Sequence, residues 1–193
     1  VTIEERRAHR RDTLLAVGID MLGAPDGPDA SVRGACRAAG LTERYFYESF
    51  TDRDDYVRTV YAHVGDMARA VIAEAVSDTS PVERAEAPVR AFVELVLDNP
   101  AVGRVLLLAP LSEPAIRGRG AALVPTFVEL VHAQLTGLDS EERQLVAIGV
   151  VGALTSLFAG FLDGTITITR ERFLAHCIRL VSQAGIRVMI VQK

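Results

Sequence analysis

Tryptophan is absent from this 193-residue chain, lysine occurs once, at Lys193, and cysteine twice, at Cys36 and Cys177. Two cysteines so far apart have neither a metal-ligand spacing nor a redox-motif spacing, and they are expected to be reduced thiols in a cytoplasmic protein. No basic, apolar and small-residue series opens the chain in the manner of a signal peptide. The motifs G-x-S-x-G and H-E-x-x-H, the phosphate-binding P-loop and the dinucleotide fingerprint are all missing. His176 and Cys177 are neighbours, but adjacent helical residues point apart, so they make no thiol–imidazole pair. No catalytic residue, metal ligand or cofactor is assigned, and an enzyme is not expected. With 25 acidic against 21 basic residues the net charge is −4. That excludes a chain-wide electrostatic case for nucleic acid, although a phosphate-binding face needs positive charge only locally.

What is present is apolar sequence at helical spacing. Hydrophobic residues make up 49% of the chain, enough for a sizeable core. They recur at steps of three and four almost throughout, which predicts an all-α protein of about nine helices. Thr2 with Glu5 caps the first helix, which stops at Gly23–Pro28. Thr51 with Asp54 caps a long fourth helix with Tyr56, Val57, Val60, Tyr61, Val64, Ala68 and Ile72 on its apolar face. Ser80-Pro81 opens a further helix that ends near Asp98-Asn99-Pro100, and a short apolar piece follows from Val102 to Leu108. A longer helix is expected from Ser112 to about Leu135, kinked at Pro125. Asp139 with Glu142 caps the next, and Thr169 the last. Thr165–Thr169 (TITIT) has a strand-like pattern without a partner strand and is expected to be an extended linker.

The informative segment is SVRGACRAAGLTERYFYESF, residues 31–50. Ser31 suits the N-cap of a helix over Val32–Ala39, Gly40 suits the left-handed stop, and Thr42 caps a second short helix at once. Two short helices about a glycine turn make a helix-turn-helix, whose second helix enters the major groove of DNA. All four tyrosines lie between residues 45 and 61. Phe46 and Phe50 are expected to face inward and seat the second helix, with Tyr45 and Tyr47 facing outward, ring to sugar and hydroxyl to phosphate.

This segment, with a basic first helix before it and Arg53 opening a long fourth helix, resembles the tetracycline-repressor (TetR) family of bacterial transcription regulators. The resemblance rests on Ser31-Val32-Arg33, Ala38-Ala39-Gly40-Leu41, Phe46-Tyr47 with Phe50, and Arg53. It covers residues 5–65; beyond them only helix number and length match. The family commonly has His at Ser49 and Lys at Arg53, exchanges that keep a phosphate donor. The resemblance implies a helix-turn-helix DNA-binding domain over 1–62 (motif 31–50) and a helical ligand-binding and dimerisation domain over 63–193. Arg33 matches a position that reaches the groove and suits guanine O6 and N7. Thr42, Glu43 and Arg44 open the recognition helix. Glu43 suits either a cytosine amine or the helix dipole. Tyr45, Tyr47, Ser49 and Arg53 are assigned to the DNA backbone. Arg6, Arg7, Arg10 and Arg11 either add phosphate contacts or form a solvated face.

The resemblance also implies an inducer cavity among the middle helices, coupled to the reading head through the fourth helix. Its candidate lining is Phe92, Leu95, Val96, Leu106, Leu107, Phe127, Leu130, Val131 and Phe158, residue types that more often serve as plain core. Leu145–Leu162 is eighteen residues without a charge, close to membrane-span length. Acidic flanks favour a buried helix at a homodimer interface, with Gly149, Gly152, Ala153, Ser156 and Gly160 giving close approach and Cys177 and Val181 contributed by the last helix. Two recognition helices would then meet successive major grooves about 34–36 Å apart on a palindromic operator. The expectation is a cytoplasmic, homodimeric repressor released from double-stranded DNA by a small, largely apolar inducer, with no membrane partner. The alternatives are a protein-interaction module without operator binding and a small all-α enzyme.

Overall fold

The computed structural model describes residues 2–27, 29–77, 86–119, 128–129, 135 and 139–191. Among these residues every regular element is helical: α1 (Ile3–Leu22), α2 (Val32–Ala39), α3 (Glu43–Tyr47), α4 (Arg53–Ser77), α5 (Ala87–Asp98), α6 (Pro100–Leu107), α7 (Ala109–Ser112), a 3₁₀ turn (Pro114–Ile116), α8 (Ser140–Leu162) and α9 (Arg170–Val191). They form two compact units, Val1–Asp66 with Pro100–Gly118, and Met67–Asn99 with Arg119–Lys193.

In the first unit, local chemistry sets the helix limits. The Thr2 hydroxyl accepts from Glu5 N and the Glu5 carboxylate accepts from Thr2 N, a reciprocal cap that satisfies two otherwise orphan donors. The cap of α4 is shifted by one residue from the expected Thr51–Asp54 pair. The Asp52 carboxylate accepts from Asp55 N at 2.7 Å, and the Asp55 carboxylate accepts from Thr51 N at 2.9 Å. This shift leaves Asp54 to receive the Arg53 guanidinium at 3.1 Å.

The core of this unit comprises Leu14, Leu15 and Leu22 of α1, Ala35 and Cys36 of α2, Phe46 and Phe50, the α4 row Tyr56, Val57, Val60, Tyr61 and Val64, and Val102, Val105 and Leu106 of α6. Each large apolar side chain so buried contributes about 1.5–3 kcal/mol. Two glycines, Gly18 within α1 and Gly23 at its C-cap, permit close approach. A methyl group at Gly18 would stand 2.5 Å from Val60 Cγ2, and one at Gly23 would stand 2.3 Å from the Ala101 carbonyl oxygen.

The expected helix from Ser112 does not start there. Ser112 ends α7, Glu113 is extended (φ −87°, ψ 112°), and the 3₁₀ turn follows. The Glu113 carboxylate accepts from Ala115 N at 3.1 Å, and Gly118 has φ +79°, so the chain turns where a continuous helix was expected. Pro125 and the Ser80-Pro81 start lie outside the described residues.

In the second unit α5 packs on α9, and α9 on α8. Val93, Val96, Ala147, Val151, Phe158, Phe173 and Cys177 are buried there. Phe158 stands at its centre, edge-on to Phe92 and Phe173, with ring centroids 5.2 Å away in both cases. The Asp139 carboxylate accepts from Glu141 N and Glu142 N and starts α8, and the Thr169 hydroxyl accepts from Arg172 N at the start of α9. Thr165–Thr169 forms no strand, but it is not extended throughout as expected: Thr165 and Ile166 bend, and only residues 167–169 run on without regular structure. Ile166 N donates to Gly160 O at 2.8 Å, and the Ile166 side chain lies where a Gly160 side chain would be.

Gly23→Ala is expected to destabilise the protein by about 1–3 kcal/mol, because the obstacle is the Ala101 backbone and no side-chain rotation relieves it. A thermal melt would read this as a drop of roughly 2–4 °C per kcal/mol for a chain of this size.

Candidate nucleic-acid interface

The α2–α3 pair is shaped by short-range signals. The Ser31 hydroxyl accepts from Gly34 N at 3.1 Å and starts α2. Gly40 ends it at φ +66°, ψ 29°, a left-handed conformation that glycine adopts without steric cost. Leu41 N returns to Cys36 O at 2.9 Å and closes the turn. Thr42 occupies the N-cap position of α3 with extended backbone, but its side chain makes no capping bond.

The short helix α3 is seated by three aromatic rings. Phe46, Phe50 and Tyr56 are all buried, with ring centroids 4.9–5.2 Å apart. The Tyr56 hydroxyl donates to the Leu14 carbonyl at 2.6 Å, tying this cluster to α1. Burial holds that phenol well above its usual pKa, so it remains a donor.

Three α1 arginines grip the far end of α3. Arg7 donates to the Glu48 carbonyl, Arg10 pairs with the Glu48 carboxylate at 3.0 Å, and Arg11 donates to the Ser49 carbonyl at 2.8 Å. The Arg10 guanidinium also lies 4.3 Å from the centre of the Tyr45 ring, and that of Arg11 lies 4.9 Å from the Phe50 ring. Cations at unsatisfied carbonyls complement the negative end of a helix. The sequence left Arg7, Arg10 and Arg11 open between phosphate contact and solvated face; the structure gives them internal partners. Arg6 is exposed.

Opposite the seat lies a solvent-facing row. The Arg33 and Arg44 side chains are 88% and 86% exposed, and Tyr47 is 55% exposed. Thr42 and Glu43 are exposed beside them. Arg33 Nε and Glu43 Oε1 are 3.5 Å apart, so α2 and α3 present one donor-and-acceptor pair side by side. Arg44 reaches Glu48 at 3.9 Å. Tyr45 is only marginally exposed beneath Arg10, and Ser49 is half-buried, with its carbonyl taken by Arg11.

Arg53 is engaged on all three guanidinium nitrogens. Nε donates to the Ala30 carbonyl at 2.7 Å, Nη1 to Glu113 at 2.9 Å and to Asp54 at 3.1 Å, and Nη2 to Glu113 at 2.6 Å. Glu113 is 3% exposed and the sole charged side chain buried to that degree among the described residues. The Arg53 fork holds its carboxyl below the ordinary value of 4.5. Sequence reasoning missed Glu113. No local pattern marks a partner 60 residues away from Arg53.

Of the candidate pocket residues, Phe92, Leu95, Val96 and Phe158 belong to the second unit and Leu106 and Leu107 to the first. Val96, Leu106 and Phe158 are buried; Phe92, Leu95 and Leu107 are half-buried. Phe127, Leu130 and Val131 lie outside the described residues. On α8, Gly149, Gly152 and Ser156 are exposed, beside Leu145 at 71% exposure and an exposed Ile148. Ala153 is half-buried, and Gly160 is occupied by Ile166. Cys177 and Val181 are buried within the protomer, and burial pushes the Cys177 thiol up to about 11. Among the described residues α8 is the one helix long and apolar enough to cross a membrane by length and composition.

No protein-family model matches the chain, and no curated protein matches it in sequence. Solved structures do match. A TetR-like transcriptional regulator from Rhodococcus is 18% identical with a TM-score of 0.73, over 90% of this chain and 94% of that one. The fatty acid degradation regulator FadR from Bacillus halodurans is 15% identical with a TM-score of 0.69, over 89% of this chain and 94% of that one. FadR from Bacillus subtilis, solved in complex with stearoyl-CoA, is 13% identical with a TM-score of 0.67, over 90% and 97%. The chain therefore has the fold of TetR-like transcriptional regulators.

The depressed Glu113 pKa has a defined pH signature. Its contribution to stability is fully present above the unfolded value near 4.5 and is lost as pH falls through the lower folded value. Denaturant melts of wild type and Glu113→Gln are expected to differ most above pH 4.5 and to converge in acid; a pH-independent difference would contradict this.

Proposed function

We propose that this chain is a TetR-family transcriptional regulator: a homodimer that binds a palindromic operator and is released from it by a small, largely apolar inducer. The observation that carries the proposal is the solvent-facing row Arg33, Thr42, Glu43, Arg44 and Tyr47, borne on a helix pair whose opposite side is sealed by Phe46. That row has the residue types that address base edges and phosphates, on the two helices that a helix-turn-helix offers to the groove.

Roles follow from chemistry. Arg33 addresses guanine and Glu43 a cytosine amine, and their side-by-side placement suits a single G·C pair or two adjacent ones. Thr42 and Arg44 work at the same end of α3. Tyr47 positions the DNA backbone, with Tyr45 and Ser49 in support. Arg53, engaged internally but with a side chain 38% exposed, takes a secondary place at the DNA backbone.

The second copy is expected to pack on the exposed α8 face at Leu145, Ile148, Gly149, Gly152 and Ser156. Symmetric burial of that face would give the assembly two identical reading heads for the two halves of a palindrome. The likeness to a regulator solved with stearoyl-CoA favours an apolar inducer held among Phe92, Leu95, Val96 and Phe158. Release then works as a population shift, with coupling of about 1–3 kcal/mol between inducer and operator. A repressor of this kind works in the cytoplasm and needs no catalytic group.

The test is a gel-shift series on a palindromic duplex enriched by the wild-type protein from a randomised pool. Binding should fall steeply with salt, by about 0.9 log units per tenfold salt for each phosphate neutralised. Arg33→Ala should cost about 1–3 kcal/mol and relax preference at one base pair, whereas Tyr47→Phe should weaken all sequences alike. No enrichment, or a flat salt response, overturns the proposal.

Ile148→Asp on α8 should convert a dimer into a monomer in sedimentation and weaken operator binding in parallel. A variant that remains dimeric removes α8 from the interface.

A further inference from the structure

We infer that Glu113 is a positioning residue of the reading head, holding the entry to α2 and the start of α4 in register through Arg53. This rests on the α2–α3 pair being that head, as proposed above.

The geometry joins three pieces of chain at one guanidinium. Its fork faces the Glu113 carboxylate with two bonds, at 2.9 and 2.6 Å, and its remaining nitrogen, Nε, donates to the Ala30 carbonyl at 2.7 Å. Ala30 is itself buried and immediately precedes Ser31, the N-cap of α2. Arg53 is the first residue of α4. Thus the carboxylate that follows α7 fixes an arginine, and that arginine fixes the carbonyl from which the first helix of the motif departs.

Glu113 is built for this task and for little else. It is 3% exposed, so it cannot be a surface contact, and its Oε1 also accepts from Ala115 N at 3.1 Å, which locks its own rotamer. A planar fork is required: an ammonium could pair with the carboxylate, but it could not also hold a fixed second bond to Ala30. The arrangement gives the segment 109–116 a direct hold on the reading head, independent of the α1 arginines that grip the other end of α3. It also reassigns the main duty of Arg53, from touching DNA to orienting the residues that do.

Hydrogen exchange on the full chain tests this without DNA. In Glu113→Gln, amides of residues 31–50 should exchange about tenfold faster or more, while those of α8 and α9 keep wild-type rates. The double variant Arg53→Met/Glu113→Met removes both charges together, so that no buried charge is left unpaired and the fold is retained. Its residues 31–50 should still exchange fast.

On the duplex enriched by wild type, Glu113→Gln should weaken binding about tenfold with an unchanged salt slope, and Arg53→Lys should do the same, because lysine serves a phosphate but cannot make this fork. Wild-type exchange of residues 31–50 in the double variant overturns the inference, as does an equal acceleration of α8 and α9 in Glu113→Gln. So does wild-type DNA binding by Arg53→Lys. A wild-type protein that enriches no duplex sinks the operator reading alone and leaves the exchange experiment to decide on Glu113.

Discussion

The contact of Phe46 with Phe50 and Tyr56 is the constraint on which the α2–α3 pair depends. A helix as short as Glu43–Tyr47 has no stability of its own, since nucleation costs more than one turn returns. It exists because one of its side chains enters a buried aromatic cluster and its last carbonyls are met by arginines from α1. The Tyr56 hydroxyl then binds the cluster to the Leu14 carbonyl, making α1, α3 and α4 a single object. Only with the inner side so fixed can Arg33, Arg44 and Tyr47 be spent entirely on the outside.

Much of this was legible from the chain itself, because the signals are local. Ser31, Gly40, Asp139 and the Thr2–Glu5 pair each act within four residues, and each sits where its chemistry implied. Phe46 and Phe50 are inside and Tyr47 is outside, as their spacing on a short helix required. The cap of α4 was misplaced by one residue because Thr51–Asp54 and Asp52–Asp55 have the same spacing and similar chemistry.

What escaped was long-range. Periodicity marks a residue as exposed or buried but does not say which group it meets, so the α1 arginines could not be told apart from a solvated face. Glu113 was invisible for the same reason and for a second one. An acidic residue between Ser112 and Pro114 reads as a local cap, which it is for the 3₁₀ turn, but the same carboxylate also meets an arginine far back in the sequence. The pocket and interface residues show a further limit. Gly160 and Gly152 look alike in sequence, but one accommodates Ile166 of its own chain and the other faces solvent.

The grip of α1 on α3 is made entirely of guanidinium groups, and the one lysine of the chain is its last residue. Guanidinium offers a planar fork of fixed donors, where an ammonium offers a point charge. It is also not a target of the acetyl transfer that neutralises lysine. The hold on α3 therefore offers no site to the modification that erases the charge of lysine. A modification that loosens this grip has to act on arginine, as methylation does, by removing a donor while leaving the charge in place.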